Sequence, residues 1–352
     1  MINVLDPRTI GQIAAGEVVE RPLSVVKELV ENAVDARATR VSVTIEEGGL
    51  RKIEVTDDGE GIGQEQLALA PRRHATSKLL ESHDLESVAT LGFRGEGLAS
   101  IASVARVCII SRTPKTQVGA AVEAHAEEIG AVRPCASPVG TTVRVESLFA
   151  NVPVRREYVR SPAAEFNRIS GWLSTFALAY PKITFSLTHD AKAIWVLPAT
   201  NEPQQRLTAV FGKEAAAALI PLDAGAASSL SGSLSGFLST PGNDRADRRM
   251  QLLFVNGRLL RSTLLAGAWT AGYSTFAMIG RQPYGVLFLT LPPEHVDPNV
   301  HPTKSDVRLR FSHQVFDAVR RAIATTLHAR ATTAFRDSLS LAPQSMDPGF
   351  PQ

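Results

Sequence analysis

Only two cysteines, Cys108 and Cys135, occur in 352 residues, and neither has a metal-ligand spacing. That scarcity excludes a disulfide framework and makes a reducing cytoplasm the expectation. No apolar run approaches the roughly 18 residues of a membrane span. The opening Met1-Ile-Asn-Val-Leu-Asp-Pro7 has neither the basic nor the apolar region of a secretory leader. The chain also lacks Gly-x-x-x-x-Gly-Lys-Ser/Thr, which removes P-loop chemistry. A large charge of one sign is missing too: the net charge is +2.

What remains is a globular composition, 44% hydrophobic and 20% charged, in a length that suits two domains. The charge is unevenly spread. Residues 1–200 hold 22 Lys/Arg against 24 Asp/Glu, and residues 201–330 hold 14 against 9. A basic second half suits a polyanion, although an ordinary solvated surface gives the same excess.

The apolar positions Leu23, Val26, Leu29, Val30, Ala33 and Val34 recur at helical spacing, and Pro22 suits a first helical turn. Residues 21–36 are therefore predicted to be helical. Val41–Ile45 and Lys52–Thr56 alternate as strands, with Gly48-Gly49 as their turn. Further strands are expected at 104–111, 119–125, 141–145 and 183–189, and a helix at 166–179. Helix, hairpin, long loop and more hairpins make an α+β fold with an antiparallel-leaning sheet. A turn-rich stretch at 197–203 marks a boundary. Beyond it, 252–256 and 286–291 read as buried strands, 316–327 as a closing helix, and 224–235 as a Gly/Ser/Ala-rich turn. The domains run 1–200 and 204–330, and 331–352 reads as a linker or ragged end.

Glu28 and Asn32, four residues apart, share one helix face, with Asp35 one turn further on. A neutral amide oxygen at Asn32 suits Mg²⁺. A carboxylate at Glu28 suits a general base that orients and deprotonates a water attacking a γ-phosphate. The plainer alternative is a polar pair on an amphipathic helix. Asp57 ends a strand and opens Asp57-Asp-Gly-Glu-Gly61, where an acid can accept from an adenine amino group and Gly59 and Gly61 allow close approach. Gly92, Gly95 and Gly97 precede an apolar helical stretch, and a glycine-rich loop feeding a helix start offers amides to phosphates. Thr142, leading a strand, is expected to turn its hydroxyl toward Asp57 or the base.

The segments Ile13–Pro22, Lys27–Ala36, Arg73-His-Ala-Thr-Ser-Lys78, Leu91-Gly-Phe-Arg-Gly-Glu-Gly97 and Val296-Asp-Pro-Asn-Val-His-Pro-Thr-Lys304 resemble the N-terminal ATPase region of the MutL family of mismatch-repair proteins. The likeness covers about residues 1 to 330. The 13–22 block is specific to that family, while the Asn32, Asp57 and Gly95 elements are shared with the wider GHKL class of gyrases, heat-shock chaperones and histidine kinases. The resemblance implies a Bergerat-type ATP-binding sandwich followed by a smaller α/β domain with a left-handed β-α-β crossover, against the usual hand. It implies Glu28 as general base, Asn32 as Mg²⁺ ligand and Asp57 as adenine reader. It places Asp35, Gly59, Gly61 and Thr142 around the nucleotide, and Thr76, Ser77, Lys78 and Gly92-Phe93-Arg94-Gly95-Glu96-Gly97-Leu98 in a phosphate-wrapping lid. Lys304 then reaches the γ-phosphate from the second domain.

The expected activity is Mg²⁺-dependent ATP hydrolysis in a mismatch-repair clamp. ATP would drive N-terminal dimerisation, with the arm Met1–Gln12 and the lid taking part. DNA would be held by its backbone, with Arg155, Arg156, Arg258 and Arg261 as candidate contacts and Arg245, Arg248 and Arg249 in a polar loop. The implied partners are a mismatch-recognition protein and a downstream nuclease or helicase, in the bacterial cytoplasm. No nuclease motif is found, so none is expected from these residues, and the tail suggests a piece of a longer protein. The chain departs from the family pattern at Asp58 (commonly Asn), Pro71 and Gly97 (commonly Ala). A scaffold that binds ATP without turnover, or another GHKL member, is the rival reading.

Overall fold

The computed structural model describes residues 16, 18–76, 90–92, 95–126, 128–159, 161–223, 225, 230–278, 280–297 and 307–340, with side chains described as far as 333. Helix α1 runs Pro22–Asp35. Proline in its first turn loses no helical hydrogen bond, and Val25, Val26, Leu29, Val30 and Ala33 form its buried stripe. The hairpin β1 (Arg40–Glu46) and β2 (Lys52–Asp57) follows, then a short α2 (Gln64–Leu67) and α3 (Gly97–Val104). Strands β3 (Arg106–Arg112), β4 (Gly119–His125), β5 (Glu128–Ile129), β6 (Arg133–Cys135) and β7 (Gly140–Glu146) come next. Helices α4 (Pro153–Tyr158) and α5 (Pro162–Phe176) and strands β8 (Thr184–His189) and β9 (Lys192–Leu197) complete this part.

The sheet runs β5-β4-β3-β7-β2-β1-β8-β9, with β6 also paired to β4. Only β1 and β8 pair in parallel; the other pairs are antiparallel. Burial alternates along β1 and β3 and through the middle of β2 and β7, as period-two side chains require. Val41, Val43, Ile45, Ile53, Val55, Val143 and Val145 face the helices α1, α3 and α5 in one core. The opposite face carries Ser42, Thr44, Glu54, Thr56 and Arg144, all half-buried.

The second part starts with α6 (Pro203–Phe211) and α7 (Lys213–Ala217). It continues with β10 (Leu219–Pro221), β11 (Ser233–Ser239), β12 (Asp244–Arg245), β13 (Gln251–Val255), β14 (Arg258–Leu260) and α8 (Thr263–Gly272). It closes with β15 (Gln282–Pro283), β16 (Gly285–Thr290), β17 (Val296–Asp297), β18 (Arg308–Leu309) and α9 (Ser312–Ser340). Its sheet is β10-β11-β16-β13-β14. Strands β13 and β16 are parallel neighbours, so the chain between them makes a β-α-β crossover through α8. Leu253, Val255, Leu287 and Leu289 pack with residues of α8 and α9, while Leu252, Phe254 and Val286 pack with α6 and α7. No helix among the described residues is long and apolar enough to cross a membrane.

Four sequence expectations change. Val104 ends α3 instead of opening a strand. Part of the turn expected at 224–235 is strand, because Leu234 and Leu238 reach the core and the β11 backbone pairs with β16. Edge strand β9 was not foreseen; its apolar Ile194 and Val196 are exposed, so burial gave it no alternating signature. Helix α9 begins at Ser312 and runs on to Ser340, past the linker start at 331. Among its described side chains the last buried one is Leu327, and residues 328–333 are exposed. Within the extension the Thr332 and Thr333 hydroxyls donate to the carbonyls of His328 and Ala329, each at 3.0 Å.

Candidate nucleotide site

Packing of the apolar stripe of α1 onto the sheet leaves Glu28 and Asn32 half-buried on the helix flank. Asn32 Nδ2 donates to Glu28 Oε1 at 3.3 Å, which turns the amide oxygen the other way. The start of α3 lies directly against this pair. A Cβ built on Gly97 would stand 2.3 Å from Glu28 Oε1 and 2.4 Å from its Cδ. Gly97 thus gives the carboxylate its resting place at a helix N-terminus, where negative charge is favoured. The residues before it close the same edge. Gly95, at φ 61°, sits against Ala75 and Thr76, and His74 Nδ1 lies 3.5 Å from Glu96 Oε1. Leu98 is half-buried against the main core.

Asp35, expected among the nucleotide contacts, gives both carboxylate oxygens to protein amides. Oδ1 accepts from Leu91 N–H and Oδ2 from Gly92 N–H, each at 2.9 Å. It anchors the glycine-rich loop to α1.

Asp57 stands at the end of β2 on the helix-facing side. Its Oδ1 accepts from Gly59 N–H at 2.9 Å. Burial pushes its carboxyl up to about 6; the Gly59 and Thr141 amides oppose that and the neighbouring Asp58 charge adds to it. Asp58 goes the other way. Burial alone would raise it, but the Thr39 hydroxyl and the Arg40 and Thr39 amides hold it below the ordinary carboxylate range. Those bonds are 2.6 to 2.7 Å long. Asp58 is therefore a clasp for the start of β1, and the second acid leaves the pocket to Asp57. Gly59 and Gly61 are demanded by the protein itself: Cβ atoms there would stand 2.5 Å from Ala36 O and 2.2 Å from Arg112 O.

Thr142 is a correction. It pairs with Thr56, and their hydroxyls are 3.1 Å apart on the sheet face opposite Asp57. Thr141, opposite Asp57 in the ladder, is the inward residue. Its hydroxyl meets Ser111 Oγ at 2.9 Å, and that Oγ donates to Gly140 O and accepts from Ile62 N–H. Sequence reasoning missed Ser111 and Thr141. The available signal was parity, since Thr141, Val143 and Val145 alternate together.

The arginines separate as well. Arg258, expected on DNA, is 8% exposed, and its Nη2 donates to Thr90 O at 2.8 Å. An arginine committed inside the protein has no face for a phosphate, so that expectation is corrected. Arg155 is half-buried against Gly16. Arg156 and Arg261 are exposed. Arg261 lies near enough to Lys27 that, with burial as the main cause and Glu31 opposing, its charge helps lower the Lys27 ammonium. Ser77, Lys78, Phe93, Arg94, Lys304 and the arm 1–12 lie outside the described residues.

Among the described residues no three His, Cys, Asp or Glu side chains gather into a metal cage. A metal beside Asn32 would take most of its ligands from phosphate and water, the usual habit of Mg²⁺. One amide oxygen and a nearby carboxylate fit that mode.

Residues 20–134 match the family model "Histidine kinase-, DNA gyrase B-, and HSP90-like ATPase", and residues 207–328 match "DNA mismatch repair protein, C-terminal domain". DNA mismatch repair protein MutL of Xanthomonas campestris pv. campestris (strain B100) is 46% identical over 93% of this chain. The chain belongs to the MutL family. The MutL protein of Heliobacterium modesticaldum is 42% identical over 94% of the chain. The chain spans about half the length of these MutL relatives, 52% and 50%. The Aquifex aeolicus MutL ATPase domain complexed with ADP superposes with TM-score 0.60 at 26% identity, covering 86% of this chain and 98% of that one. The N-terminal domain of a DNA repair protein shares the fold at TM-score 0.76, 24% identity and coverage of 92% and 99%. A GHKL-type ATPase fold followed by a smaller α/β domain is thus the architecture of this MutL-family chain.

Proposed function

We propose that this chain binds ATP with Mg²⁺ between α1, the Asp57 turn and the loop before α3, and hydrolyses it. The observation that carries the reading is the Glu28–Asn32 pair, one helical turn apart and facing the N-terminus of α3. Asp57, ionised, accepts from the adenine amino group. Asn32 holds the cation through its amide oxygen, and the cation supplies charge neutralisation on the phosphates. Glu28 leaves Gly97, orients a water and takes its proton, an effect typically worth about 10²–10⁴-fold. Backbone amides of the loop and helix start receive phosphate oxygens. Lys304 and the segment Thr76–Lys78 complete the phosphate shell on the family reading.

ATP then acts as the gate of a mismatch-repair clamp. It closes the chain into a homodimer only as far as it binds the closed state better than the open one. DNA backbone is held through exposed arginines such as Arg156 and Arg261, and closure recruits a mismatch-recognition protein and downstream repair enzymes. Single-turnover hydrolysis tests the chemistry: Glu28→Gln should bind ATP and barely cleave it, and Asp57→Asn should bind weakly. Equal cleavage by Glu28→Gln and the native chain would sink the assignment. Sedimentation with and without a non-hydrolysable analogue tests the gate. DNA binding that stays flat from low to moderate salt would remove the backbone contacts.

A further inference from the structure

Among the described residues two arginines are buried, Arg206 and Arg258. Arg258 opens β14 in the second sheet, yet the residue is only 8% exposed and its Nη2 donates to Thr90 O of the first domain at 2.8 Å. A guanidinium stays charged in a protein, so its burial must be matched by well-placed acceptors. One acceptor here is the Thr90 carbonyl, at the start of the glycine-rich loop. The next two peptides are held from the other side, Leu91 N–H and Gly92 N–H by Asp35 of α1. Thr90 Oγ1 closes the turn by donating to Gly92 O at 2.7 Å. Three successive residues are therefore gripped between a carboxylate of one domain and a guanidinium of the other.

We propose that Arg258 is a positioning residue for nucleotide binding: from the second domain it fixes Thr90, so that the loop reaching Gly95–Gly97 is presented to the phosphates in register with Glu28 and Asn32. This rests on the ATP reading above. It makes the coupling between the domains reciprocal: whatever the second domain does to Arg258 changes nucleotide affinity, and nucleotide changes Arg258 by the same factor.

Mere interdomain glue is the competing account, and the molecule contains a specimen of it. Arg206 Nη2 donates to the carbonyls of Pro181, Ile183 and Pro198, all at the domain boundary and none in the loop. Tyr180 offers a closer control. Its hydroxyl donates to Gly257 O at 3.1 Å, on the same turn as Arg258, without touching Thr90.

The test compares the native chain with Arg258→Met, Arg258→Lys and Tyr180→Phe, by equilibrium binding of a non-hydrolysable ATP analogue with Mg²⁺ and by steady-state hydrolysis. Arg258→Met should weaken binding by about ten- to hundredfold, the loss of one hydrogen bond to a charged group. The loss should show more in KM than in kcat. Arg258→Lys, which keeps the charge and one donor, should recover part of it, and Tyr180→Phe should bind like the native chain. If Arg258→Met does not fold, amide exchange in the native chain decides. Nucleotide should slow exchange at Leu91 and Gly92 together with Arg258–Leu260; protection of 91–92 alone overturns the proposal. So does native affinity in Arg258→Met, or an equal loss in Tyr180→Phe. A native chain that ignores the analogue overturns the ATP reading and this inference with it. Native binding beside unimpaired Arg258→Met overturns the inference alone.

Discussion

The two sheets of this chain solve burial in opposite ways. The large one is covered by helices on a single face, so its strands alternate between core and half-exposed side chains. The small one is covered on both: α8 and α9 lie on one side, α6 and α7 on the other, and β13 is buried along four successive residues. A one-faced sheet can carry polar chemistry where an inward strand end meets a helix, as Asp57 does beside α1. A two-faced sheet has no such place, and its chemistry moves to the turns at its edge, Asn256 to Arg258. Position in the first sheet is thus decided by parity, and in the second by exit from the layer.

The sharpest way to break this comparison is at the polar edge of the large sheet. Glu28→Gln should lower turnover by about 10²–10⁴-fold with little change in thermal midpoint, measured by single-turnover hydrolysis and melting. In the small sheet the opposite is expected. Phe254→Ala should cost about 3–5 kcal/mol in stability, because Phe254 is 1% exposed and stacks on Phe288 at 5.2 Å. Denaturant titration measures it; a loss below about 1 kcal/mol would mean that the two-faced packing is not what holds this domain.

Asp57 gives a pH test of the one-faced sheet. Its folded-state value, about 6, lies above the ordinary 3.8, so the nucleotide-free fold favours the neutral acid. That stabilisation is fully present below about pH 4 and is lost as pH rises through about 6. Asp57→Asn should therefore gain on the native chain between these values, by up to about 3 kcal/mol. Nucleotide affinity of the native chain should fall as pH drops through 6, where the neutral carboxyl stops being a pure acceptor. Melting and binding curves between pH 4 and 8 check both signs.

Two smaller effects sharpen the picture. Gly97→Ala pushes the Glu28 side chain back as far as its Cγ, and that flexible side chain can give, so stability should hold or rise by up to about 1 kcal/mol from helix propensity while kcat changes severalfold. Unchanged kcat would show that the resting contact has no part in turnover. On the half-exposed face, Arg144 Nε meets Glu54 Oε2 at 2.7 Å. Arg144→Ala should cost under about 1 kcal/mol, as for exposed ion pairs, with no effect on nucleotide binding. A larger loss by denaturant titration would show that this face is not the solvent-facing one.

Legibility followed the range of the forces. Helix α1 and the β1–β2 hairpin were readable because their signals are local: a stripe at helical spacing and alternation around a glycine turn. The Glu28–Asn32 pair was readable for the same reason. Thr142 was misplaced by one residue because its face depends on the register with β2, which pairs segments 86 residues apart. Asp58, a departure from the family pattern in sequence, has its role set by Thr39 and Arg40, which only the fold brings to it. Strand β11 is hidden by serine and glycine, and its ladders with β10 and β16 make it a strand.

By itself, the sequence determined the kind of site, its helix and its glycine-rich loop, since residue types at short spacings are fixed by covalent geometry. The tertiary structure alone decided which threonine faces Asp57, why Asp57 and Asp58 shift in opposite directions, and that Arg258 belongs to the protein interior. Each of these depends on a partner distant in the chain, and only folding sets burial and hydrogen-bond geometry at such a distance.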